Sequence, residues 1–204
     1  MTGHKVTDIV ENEVYADFQK ITKRKLATFT NPETHYPYLI RAYFAEGVGS
    51  NKDNTYIEFF GARDPHDLQI FGVVDRTFLH EEKLAINDLE VYNGDIYFLD
   101  SYVGLYRLDV TKDHKLLITG KLKREGMQRF SIYSDDLEDE IIVALANKHN
   151  IYEIDWSWEY MFAHEVINKY TIPSDSEVRD IKVNGQYIIA QCKANVTNNN
   201  DTSY

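Results

Sequence analysis

Apolar and polar residues alternate with a period of two along much of this chain, and the alternating stretches recur on a longer period in the forties. The clearest unit runs from Leu84 to Lys123. Ile86 to Tyr92 predicts a strand, and Asn93-Gly94 supplies the two-residue turn in which both positions need positive φ. Asp95 to Ser101 predicts a second strand, and Leu105 to Val110, opened by Gly104, a third. Thr111 to His114 reads as a turn, and Leu116 to Leu122 as the outermost strand.

The same outer segment recurs 48 residues earlier, with His66 under His114, Leu68 under Leu116, Ile70 under Ile118 and Gly72 under Gly120. Asn150-Ile151-Tyr152-Glu153-Ile154-Asp155 repeats the Gly104 strand 46 residues later. Val178 to Gly185 mirrors Ile86 to Gly94 with one residue fewer, and Tyr187 to Cys192 follows as a second strand. Four short antiparallel strands in about forty residues are one blade of a β-propeller. The expected fold is therefore all-β, a propeller-type repeat of four-stranded antiparallel blades forming one domain over 1–193. Blades are expected near 38–75, 84–123, 128–172 and 178–192, with a polar tail at 194–204.

Two placements stay open. Val14 to Gln19 and Lys25 to Thr30, within 13–30, fit the two outer strands that the last blade lacks; alternatively Val6-Thr7-Asp8-Ile9 begins a blade of its own. Trp156 to Asn168 fits either a fourth strand or a helical turn. Both a closed four-blade ring and an open segment of a larger propeller accommodate this count.

Composition narrows the partners. A formal net charge of −11 repels phosphate backbones, which argues against nucleic acid. No apolar run reaches the ~18 residues of a membrane helix, so no membrane insertion by this segment is expected. Met1-Thr2-Gly3-His4-Lys5 precedes no apolar core of a signal peptide. The single cysteine, Cys192, excludes a disulfide within the chain and reads as a buried thiol. A complete chain of this kind would be cytoplasmic.

The order and spacing of these motifs resemble the LVIVD-repeat family of β-propellers. The likeness spans residues 55 to 192 and rests on Asp88-Leu89, Asn93-Gly94, Ile96-Tyr97-Phe98, Gly104-Leu105-Tyr106-Arg107-Leu108-Asp109, Thr119-Gly120, Asp64-Pro65-His66-Asp67-Leu68, Asp180-Ile181 and Asn184-Gly185-Gln186-Tyr187. Gly61 stands where Asp109 does, and Arg129 where Asp88 does. The resemblance implies a repeat platform, without assigned catalytic activity, in a cell-surface or membrane-anchored protein.

Chemistry-bearing residues are few. Asp88 and Asp180 occupy equivalent places on first strands, with Asp8 a third candidate. Carboxylates lining a channel can hold Ca²⁺, which takes six to eight oxygens. They can equally accept backbone N–H groups at the start of their strands, and Arg129 at the third equivalent position favours that. No cofactor is therefore expected, with Ca²⁺ as the alternative. His66 and His114 coincide in the repeat and read as solvated turn residues. His80-Glu81 and His164-Glu165 begin like zinc-protease motifs but lack the second histidine.

Asp135 to Glu140 reads as a solvated acidic loop. Trp156 and Trp158 read as packing between blades. Asn195 and Asn200 fit the glycosylation acceptor pattern, and would matter only in a secreted parent. The expected function is a non-catalytic platform binding a protein or small ligand at a loop face. The alternative is a hydrolase or lyase with Ca²⁺ in the channel.

Overall fold

The computed structural model describes residues 18–47, 54–64, 66–135, 140–156, 165–184 and 187–194. Strand follows strand in simple meander order. The first sheet holds β1 (Phe18–Thr30), β2 (Pro37–Gly47), β3 (Asn54–Gly61) and β4 (Ile70–Val74). The second holds β5 (Ile86–Tyr92), β6 (Asp95–Asp100), β7 (Gly104–Val110) and β8 (Leu116–Lys123). The third holds β9 (Arg129–Asp135), β10 (Glu140–Ala146), β11 (Asn150–Asp155) and β12 (Glu165–Thr171). A hairpin of β13 (Ser176–Asn184) and β14 (Tyr187–Ala194) ends the described chain. The protein is all-β: the described residues form three four-stranded antiparallel sheets and a two-stranded one.

One helical turn, α1 (Arg76–Leu79), links the first two sheets, and the Asp75 carboxylate caps it by accepting from the Phe78 N–H at 2.8 Å. Among the described residues no helix is long and apolar enough to cross a membrane.

The repeat seen in the sequence is a repeat of backbone geometry. Gly72 lies opposite Phe59, Gly120 opposite Arg107, and Asn168 opposite Glu153; in each sheet the next register step carries a β-bulge. A second kind of bulge recurs just before Asp88 in β5, at Asn87, and just before Asp180 in β13, at Arg179. Asn93 and Gly94 take φ of 48° and 81°, as the turn joining β5 to β6 requires.

Successive sheets stack face on face. Ile40, Ile57 and Phe59 of the first pack on Leu89, Phe98 and Leu108 of the second. Tyr97, Leu99 and Leu105 on the other face of the second meet Phe130, Val143 and Ile154 of the third. Ala144, Ala146 and Ile151 of the third then meet Val178, Ile181 and Ile188 of the hairpin. The second sheet is thus buried on both faces, which explains its unbroken apolar run Ile96-Tyr97-Phe98-Leu99. The stacking is close at two glycines. A Cβ on Gly72 would stand 2.7 Å from Leu116 Cδ1, and one on Gly120 would stand 2.8 Å from Trp156 Cζ2. Side chains there would push adjacent sheets apart.

Three expectations need revision. Residues 18–30 pair with β2 as the first strand of the first sheet and do not complete the last blade, because Ala27 and Phe29 on β1 face the core beneath β2. Residues 13–17 lie outside the described residues. His114 is not a solvated turn residue: its ring stacks on Phe71 at 4.8 Å, meets Tyr36 edge-on at 4.9 Å, and its Nδ1 hydrogen-bonds the Tyr38 hydroxyl. Cys192 is exposed, since β14 is an edge strand.

Of the two readings of 156–168, the strand holds for Glu165–Thr171, while 157–164, Trp158 and His164 included, lie outside the described residues. Trp156 packs edge-on against Tyr97 with ring centroids 5.9 Å apart, a contact between the second and third sheets.

Candidate functional site

The first strands of all the sheets come together: β1 lies against β5, β5 against β9, and β9 against β13. Each brings one charged side chain to the same register position. These are Lys25 on β1, Asp88 on β5, Arg129 on β9 and Asp180 on β13, so the signs alternate. Two residues further along, on the same face of each strand because the period is two, stand Ala27, Glu90, Ser131 and Lys182.

The pairing within this cluster is specific. Lys25 Nζ donates to Asp88 Oδ1, which also accepts the Leu89 N–H at 2.9 Å. Asp180 repeats the second interaction, accepting the Ile181 N–H at 3.0 Å. In both strands the bulge falls on the residue just before the aspartate, and the aspartate accepts the N–H of the residue after it. Arg129 Nε donates to the Arg179 carbonyl at 2.9 Å, tying β9 to β13. Lys182 Nζ lies 3.5 Å from Glu90 Oε1, joining the hairpin to the second sheet across the strands between them.

Burial, reinforced by Arg129, lowers the pKa of the Lys25 ammonium below the ordinary lysine value. Asp180 and Glu90 oppose that shift, so Lys25 senses charges on three other strands at once.

This donor set is poorly suited to Ca²⁺. Asp88 is already compensated by an ammonium and an amide, and three cations stand among three carboxylates, which leaves no oxygen-rich cage for a divalent ion. Among the described residues no three His, Cys, Asp or Glu side chains gather as metal ligands. Asp8, Asn195 and Asn200 lie outside the described residues, as do 136–139 of the acidic loop.

The two histidines aligned by the repeat are not brought together. The exposed His66 donates its N–H to Asp64 Oδ1, whereas His114 sits in the aromatic cluster of Tyr36, Tyr38 and Phe71. His80 caps α1 in the left-handed region at φ 55°. The neighbouring Glu81 accepts from Lys121 Nζ at 2.6 Å and Tyr106 OH at 3.0 Å. The Lys121 hydrogen bond is the largest influence and lowers the Glu81 pKa.

Sequence reasoning missed Lys25. The signal was present: Lys25-Leu26 stands in β1 as Asp88-Leu89, Arg129-Phe130 and Asp180-Ile181 stand in their strands, a charge followed by an apolar residue. It also missed a second carboxylate. Glu153 on β11 accepts from Tyr133 OH, from Asn168 Nδ2 at 2.7 Å and from Tyr170 OH at 3.2 Å. Burial raises its pKa, but the three hydrogen bonds outweigh burial and hold the group below the ordinary glutamate value.

No family model matches the chain, and no curated protein matches it.

Proposed function

We propose that this chain is a β-propeller-type repeat domain of the LVIVD kind, whose sheets are blades around an axis, and that it serves as a non-catalytic platform. It would present a loop face to a protein or small ligand, within a cell-surface or membrane-anchored parent protein. Two things support the blade reading: the face-to-face order of the sheets, and the convergence of their first strands on one cluster of charges.

The observation that carries the non-catalytic reading is the mutual neutralisation of that cluster. Lys25 against Asp88 and Lys182 against Glu90 pin first strands to one another and leave neither of those carboxylates free for acid–base or metal chemistry. In this reading the axial charges set how the blades meet, and recognition falls to the loops.

Calcium titration by calorimetry tests it against a channel-metal hydrolase or lyase. The expected result is no saturable heat. Asp88→Asn should cost about 1 kcal/mol of unfolding free energy, because it weakens a charged hydrogen bond to the partly exposed Lys25. Asp180→Asn, at an exposed position, should cost less than about 0.5 kcal/mol. Saturable Ca²⁺ binding that both substitutions abolish would establish the metal reading instead.

A further inference from the structure

We draw no further inference here: the strongest candidate, the side-chain cluster of Lys25, Asp88, Glu90 and Lys182 where the first strands of the sheets meet, belongs to the site already described, and beyond its ion pairs only the lowered pKa of the Lys25 ammonium would single it out.

Discussion

The second sheet and the terminal hairpin begin with the same frame, Asp88-Leu89-Glu90-Val91 and Asp180-Ile181-Lys182-Val183, and bulge at the same residue. Their fates diverge one strand later. β6 is covered on both faces, and Ile96 through Leu99 are all at 0% exposure. β14 is covered on one face only, so Ile188 and Ala190 pack on the third sheet while Tyr187 and Ile189 face solvent. Identical local rules therefore produce a double-sided core strand in one place and an amphipathic edge in the other. The difference lies in the neighbours, and the composition has adjusted to it: four large apolar residues in a row in β6, strict alternation in the exposure of β14 up to Gln191.

Truncation should separate the two regions most sharply. Phe98, fully buried and stacked on Tyr106 at 4.9 Å, should lose about 3–5 kcal/mol on Phe98→Ala in urea unfolding, whereas Ile189→Ala should stay within about 0.5 kcal/mol. Similar losses at both sites would mean that β14 is covered in solution.

Crowding gives the next largest effect. Gly120→Val drives a side chain into Trp156 and should cost about 1–3 kcal/mol. At the equivalent but uncovered Asn168, substitution by alanine removes one hydrogen bond to Glu153 and should cost no more than about 1 kcal/mol. A tolerated valine at Gly120 would contradict the close approach of the second and third sheets.

The smallest effect is in the acid limb of stability. Burial raises the Asp100 pKa in spite of N–H donation from Ala85, Val103 and Tyr102, while hydrogen bonding lowers that of Glu153. A lowered carboxylate stabilises the fold above its unfolded value and loses that contribution as pH falls toward the folded one; a raised one does the reverse. Between pH 7 and 3 (about the range in which carboxylates titrate), Glu153→Gln should therefore flatten the fall in the urea midpoint, and Asp100→Asn should steepen it. The same slope in both variants would remove the contrast between the two environments.

Within the candidate site, the sequence revealed Asp88, Asp180 and Arg129 through the repeat, because a charged residue followed by an apolar one recurs at the same place in each unit. Lys25 escaped because β1 is 13 residues long, bulged twice, and carries only a weak alternation, so its register against β2 could not be read from its own residues. His114 shows the same limit. Its turn position was legible, but the rings of Tyr36, Tyr38 and Phe71 that enclose it come from segments more than forty residues away in sequence.

The sequence by itself determined the strands, the Asn93-Gly94 turn, the period that places Gly72 over Gly120, and the net charge of −11. Those features are local or periodic, set by side-chain alternation, backbone φ and summed charge. Only the tertiary structure decided which sheet takes residues 18–30, how Lys25 meets Asp88 and Arg129 meets the Arg179 carbonyl, and which side chains among the described residues are exposed at Asn168 and along β14. Each of those depends on contacts between strands far apart in the chain, and no single strand's pattern encodes its neighbour across a sheet.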